Sequence, residues 1–110
     1  LEDRTFAFAK AVRVLVKTLS NSIGNLEDGK QLVRASGSVG ANYIEANETL
    51  GRKDFMMKIK TCRREAKESR YWLGLVEPEQ GQTPERDRLL NEADELMKIF
   101  GAIFRKCDKR

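Results

Sequence analysis

Eight basic side chains fall within residues 52–70, against three acidic ones. On a helix, Lys53, Lys60, Arg64 and Lys67 share one line, Tyr71 follows a turn beyond Lys67, and Arg52, Arg63 and Arg70 form a flanking row. A row of cations ending in an aromatic ring suits a phosphate backbone, because the charges release counterions and the ring offers a stacking face. The plainer alternative is a solvated helix face on which Glu65 and Glu68 supply local ion pairs. Repetition of the row around a symmetric oligomer would strengthen its field and favour the first reading.

Other chemistry is thinly provided for. The chain has no histidine, so the usual general base and commonest metal ligand are missing. Cys62 and Cys107 lack an imidazole to activate them and fall on apolar stripes, so buried free thiols are expected rather than a disulfide or metal pair. None of the carboxylates stands in the Glu-x-x-His spacing of a di-iron bundle. Glu85, Asp87, Glu92, Asp94 and Glu95 read as a solvated face and an acidic helix start. No catalytic residue, metal ligand or cofactor is expected. Gly37-Ser38-Val39-Gly40 has the spacing of the GxxG loop that clamps RNA in KH domains, but the strands of such domains have no signal here. Small residues at a close helix crossing are the expected reading.

The elements that position these residues are legible in the apolar rhythm. A chain of 110 residues, 40% hydrophobic and 35% charged, fits one soluble, mostly helical domain. Apolar runs extend only a few residues and no signal-peptide core follows the N-terminus, so a cytoplasmic location without membrane spans is expected. Helices are expected at about 5–23, 29–50, 52–77 and 84–107. Phe8, Val12, Leu15, Val16, Leu19 and Ile23 mark the first, and Asp28 with Gln31 opens the second as a capping box. Gly51 caps the third, whose seam runs Phe55, Ile59, Cys62, Ala66, Ser69, Leu73, Val76. Glu77–Gln82 is a loop, after which Thr83 caps the fourth helix with Pro84 at its first position. Leu89, Ala93, Leu96, Phe100, Ile103 and Cys107 repeat the seam. The fold expected is all-α, an antiparallel up-down-up-down four-helix bundle.

The net charge of +4 is unevenly spread: residues 1–51 balance, residues 71–104 hold three basic against seven acidic groups, and residues 105–110 hold four against one. The second helix is different again, poor in charge and rich in Gly, Ala and Ser. Leu32, Ser36, Val39, Tyr43, Ala46 and Leu50 form one stripe, with Val33, Gly37, Gly40 and Ile44 beside it. A helix apolar on two faces needs partners on both, so it is placed centrally with one face toward another subunit. Asn42, Tyr43, Glu45 and Asn47 are then polar groups on a largely buried helix, with Arg63 or Arg70 available to Glu45. Trp72 is expected to anchor the boundary of the core or of a subunit interface.

The runs QLVRASGSVGANYIEANE, RKDF at Arg52–Phe55 and KESRYWLGLV at Lys67–Val76 resemble the bacterial four-helix bundle protein family. Its members are also known as 23S rRNA-intervening sequence proteins, because some are encoded within insertions in large-subunit rRNA genes. The resemblance covers about Phe6 to Cys107 and rests most on Arg34, Ser36–Val39, Asn42, Glu45, Phe55 and Tyr71-Trp72-Leu73. It implies a closed bundle assembled as a ring-shaped homopentamer. It also implies distant kinship with the accessory protein of diversity-generating retroelements, a basic pentamer that binds nucleic acid and a reverse transcriptase. Many relatives carry serine where this chain has Gly51, which removes one cap bond. Most have no established activity. The expected function is therefore a non-catalytic oligomer binding structured RNA or DNA through Lys53, Lys60, Arg63, Arg64, Lys67, Arg70, Tyr71 and the Arg105–Arg110 tail. The alternative is an interaction scaffold for a polymerase or ribosome-associated partner, without direct nucleic-acid binding. Val33, Arg34, Gly37, Gly40, Asn42, Ile44, Glu45 and Trp72 form the expected subunit interface or structural network.

Overall fold

The computed structural model describes residues 1–109. Four helices, α1 (Glu2–Lys17), α2 (Ile23–Asn47), α3 (Arg52–Leu75) and α4 (Thr83–Asp108), form an antiparallel bundle, with a 3-10 turn at Gln80–Gln82 leading into α4. The bundle measures 47 × 21 × 19 Å. α2 packs between α1 and α3, α3 between α2 and α4, and α4 returns to α1, closing the bundle. The expected all-α four-helix architecture is the one observed.

The seam of α3 builds the core. Ile59, Cys62, Ala66, Ser69, Leu73 and Val76 are buried, with Phe55 partly so. They meet Leu32, Ala35, Val39 and Ala46 of α2, Leu89, Ala93, Leu96 and Phe100 of α4, and Phe8, Val12 and Leu15 of α1. Buried hydroxyls are satisfied by their own helices, Ser69 donating to the Glu65 carbonyl at 2.8 Å and Ser36 to Val33 at 3.2 Å. Phe100, the largest fully buried side chain, meets the Tyr43 ring at 5.7 Å and 57°.

Helix boundaries depart from the apolar rhythm at the first turn. α1 stops at Lys17 rather than near Ile23, and α2 starts at Ile23 rather than near residue 29. Ser22 is the N-cap, its hydroxyl accepting from the Asn25 N–H at 3.1 Å, so Asp28 and Gln31 lie inside α2. Side-chain bonds to the backbone decide the turn: buried Asn25 donates from Nδ2 to the carbonyls of Ser20 and Glu77. Ile23, placed on the first apolar stripe, is 83% exposed. α2 ends at Asn47 rather than Leu50, where the Thr49 hydroxyl donates to Ala46 at 2.6 Å and Leu50 is fully exposed. α3 begins at the expected Gly51 cap and ends at Leu75, two residues early, with Val76 extended yet buried. Gln82 is the N-cap of α4, so Thr83 is its first helical residue, followed by Pro84.

The crossing of α1 and α2 depends on Gly40. A Cβ there would stand 2.9 Å from Thr5 Oγ1 and 3.2 Å from Thr5 Cβ. Thr5 is buried, with its hydroxyl toward the Leu1 and Glu2 carbonyls, so it has no free space to enter. Gly40→Val is expected to cost about 1–3 kcal/mol through overpacking, read as a lower urea midpoint. The better helix propensity of valine returns only a few tenths of that.

Candidate nucleic-acid interface

The outward face of α3 is a ladder of long cations. Lys53, Lys60, Arg63, Arg64 and Lys67 are exposed, and Tyr71 is 61% exposed at the end of the row, its ring edge-on to Trp72 at 5.0 Å. The members differ in freedom. Arg70 Nε lies 2.6 Å from Asp94 Oδ1 on α4, and Arg64 lies 3.7 Å from Glu65. Lys53, Lys60, Arg63 and Lys67 have no acidic partner among the described residues. Met57, Lys60, Thr61, Arg63, Arg64 and Lys67 line a shallow groove, and Met57 and Lys60 continue into a second with Arg52, Lys53, Met56 and Phe104. Apolar floors under cationic rims can take a base or sugar on the floor and phosphates at the rim.

On the far side of α3, cations serve the bundle. Arg34 of α2 reaches Glu65 at 3.4 Å and Glu68 at 3.3 Å, with Gln31 orienting it. Buried Glu65 therefore sits between Arg34 and Arg64. Glu45 does not pair with Arg63 or Arg70: Lys58 Nζ takes it at 2.6 Å, because Lys58 and not the outer arginines faces α2. The other three expected in a buried network on α2, Asn42, Tyr43 and Asn47, do not form one. Asn42 donates to Ser38 of its own helix, exposed Asn47 donates to Glu2, and half-buried Tyr43 uses its ring on Phe100. Trp72 packs partly on the core, and its buried Nε1 meets no acceptor among the described residues.

The second stripe of α2 faces α1 and solvent together. Gly37 lies beneath Arg13 and Gly40 against Thr5, while Ile44 remains 51% exposed. With Phe6, which is 66% exposed, they line one groove, and half-buried Val33 lines the next with Val16, Leu19 and Leu26. The single chain thus leaves apolar surface uncovered along α1 and α2.

Both cysteines are free. Burial pushes the Cys62 thiol up to about 12, which keeps it protonated and unreactive at neutral pH. Cys107, expected to be buried, is only half-buried near the end of α4. Arg110, the last cation of the tail, lies outside the described residues.

Arg105, expected as part of the cationic tail, lies within α4 and is brought beside Arg63 of α3. Arg105 and Arg63 both reach over buried Gly101: a Cβ there would stand 3.3 Å from Arg105 Nη1 and 3.5 Å from Arg63 Nε. The four-residue step from Gly101 to Arg105 is its signal in the sequence, since it stacks the arginine on the glycine one turn away.

No helix among the described residues is long and apolar enough to cross a membrane. The family model described as 23S rRNA-intervening sequence protein matches residues 2–102. The fold is similar to a crystal structure of a protein with unknown function from the S23 ribosomal protein family of Bacteroides thetaiotaomicron VPI-5482. That similarity has a TM-score of 0.80 at 28% identity, covering 94% of this chain and 96% of that one. No curated protein matches the chain.

Proposed function

The chain belongs to the 23S rRNA-intervening sequence protein family, and from that premise we propose a non-catalytic, oligomeric nucleic-acid-binding protein of the cytoplasm. It grips the phosphates of structured RNA or DNA through the outer face of α3. One observation carries the reading: Lys53, Lys60 and Lys67 in the row, and Arg63 beside it, have no acidic partner among the described residues, so their charge is left open to phosphates. Exposed Tyr71 supplies a stacking surface at the end of the row. Self-association through the uncovered α1–α2 face, as the expected homopentamer, repeats the row and strengthens its field.

The test is fluorescence anisotropy with an RNA hairpin and a DNA duplex across a salt series. Affinity is expected to fall linearly in log–log form, with a slope near −0.9 for each phosphate engaged. Charge reversal of Lys60, Arg64 and Lys67 to glutamate is expected to weaken binding by about 100-fold or more, with the assembly mass unchanged. A wild-type protein that binds neither probe at low salt overturns the proposal. Dissolution of the oligomer by the same reversal makes the row an interface instead. The uncovered apolar grooves around Phe6, Ile44 and Val33 favour one second reading, a scaffold that docks a protein partner with little dependence on salt.

A further inference from the structure

Arg63 and Arg105 are the two described arginines that make no hydrogen bond or ion pair. Arg4, Arg34, Arg64, Arg70 and Arg88 each meet a carboxylate, Arg13 and Arg52 meet a carbonyl, and Arg86 meets both. The two bare guanidinium groups nevertheless converge. Each comes within 3.5 Å of the same point above Gly101, so their heads stand within about 7 Å of each other and repel. They share a groove between α3 and α4 with Lys98, Met97 and Asp94. Asp94 does not neutralise them, being held by Arg70 at 2.6 Å, and Lys98 is only loosely tied to Glu95 at 4.0 Å.

We infer that Arg63, from α3, and Arg105, from α4, form a two-armed phosphate site over Gly101. A single phosphate has oxygens pointing tetrahedrally, so it can accept from two forks approaching from different helices at about 2.7–2.9 Å each. That reach matches the spacing of the heads, and the anion removes their mutual repulsion. Gly101 leaves the space between the arms open: a Cβ there would touch Arg63 Nε at 3.5 Å and crowd Arg105 Nη1 at 3.3 Å. The inference rests on the nucleic-acid reading for its source of phosphate, and it extends the contact surface from α3 across to α4. It assigns Arg63 a defined partner and brings in a residue that lies off the α3 row.

Two measurements on the full chain test it, using Arg63→Gln, Arg105→Gln and the double variant. In thermal unfolding, inorganic phosphate at matched ionic strength with chloride is expected to raise the midpoint of the wild type and leave the double variant unmoved. In RNA-hairpin anisotropy, each single variant is expected to lose about tenfold in affinity. The double variant should then lose little more, because both arms hold one phosphate, and its salt slope should shrink by about 0.9. Hairpin binding at wild-type affinity by the double variant overturns the site while leaving the proposed function standing. So does phosphate stabilisation that survives in the double variant. Phosphate stabilisation that depends on both arginines, in a protein that binds no hairpin, supports a site for free phosphate and removes the nucleic-acid reading instead. Absence of both effects in the wild type overturns the site outright.

Discussion

Replacing Phe100 by alanine is expected to lower the unfolding free energy by about 3–5 kcal/mol. The ring has no exposed surface and lies where α4 meets α2 across the core, against the ring of Tyr43. Its neighbours sit on long helices fixed by many other contacts, so the bundle cannot collapse into the space left behind. The cost is therefore the lost burial plus an unfilled cavity. Domains of this size have about 5–15 kcal/mol in total, so the variant approaches the edge of folding. Urea denaturation followed by circular dichroism reads the shift, with an unchanged slope showing that the unfolded state is the same. Val14→Ala, on the exposed side of α1, is the control and should stay within about 0.5 kcal/mol. A Phe100→Ala loss no larger than the control would mean that the core is not closed around this ring.

Asn25→Ala is expected to cost about 2–3 kcal/mol through a different mechanism, the stranding of backbone groups. Asn25 Nδ2 donates to the Ser20 and Glu77 carbonyls at 3.2 and 3.1 Å, and Oδ1 accepts from the Glu77 N–H at 2.9 Å. One side chain thereby joins the α1–α2 turn to the α3–α4 loop. Alanine leaves both groups of Glu77 without these partners and returns only a few tenths through helix propensity. Hydrogen exchange at the Glu77 amide should quicken in step with the stability loss. Asn25→Asp keeps the acceptor for the Glu77 N–H but turns a buried anionic oxygen onto the Ser20 and Glu77 carbonyls, so it should cost at least as much as alanine. Unchanged exchange at Glu77 would show that this contact does not hold the loop.

The contrast between these two residues shows what the sequence made legible. Phe100 lies on an apolar rhythm of fours and threes, and that rhythm follows from helix geometry alone; the same logic located the α3 seam down to Val76. Asn25 carries no such period. Its partners lie five residues back and fifty-two residues ahead, so a residue in the expected connection between two helices instead fastens the start of the second. Ile23 and Leu50 failed for the opposite reason, since they continue a stripe past the point where hydrogen bonds at Ser22 and Thr49 have already turned the chain. The basic row was visible as spacing, and α3 does present it outward. Which members remain unpaired was not visible, because that depends on the register of α2 and α4 against α3. Register gave Glu45 to Lys58 and Asp94 to Arg70, and it set Arg105 beside Arg63.

The antiparallel pairing of α3 and α4 has an electrical consequence. The start of α3 lies beside the end of α4, where Arg52 donates to the Cys107 carbonyl at 2.8 Å. Arg52, Lys53, Lys58 and Lys60 therefore gather at the same end as Arg105, Lys106 and Lys109, while Glu85, Asp87, Glu92 and Asp94 lie toward the other. Backbone macrodipoles largely cancel between antiparallel neighbours, and Glu85, Asp87, Glu92 and Asp94 are each met by an arginine, but the cations around the start of α3 remain in excess. The long axis thus carries a permanent electric moment, positive where α3 begins. A polyanion entering that field exerts a torque on the bundle before any contact forms, turning the positive end forward and shortening the search for a productive orientation.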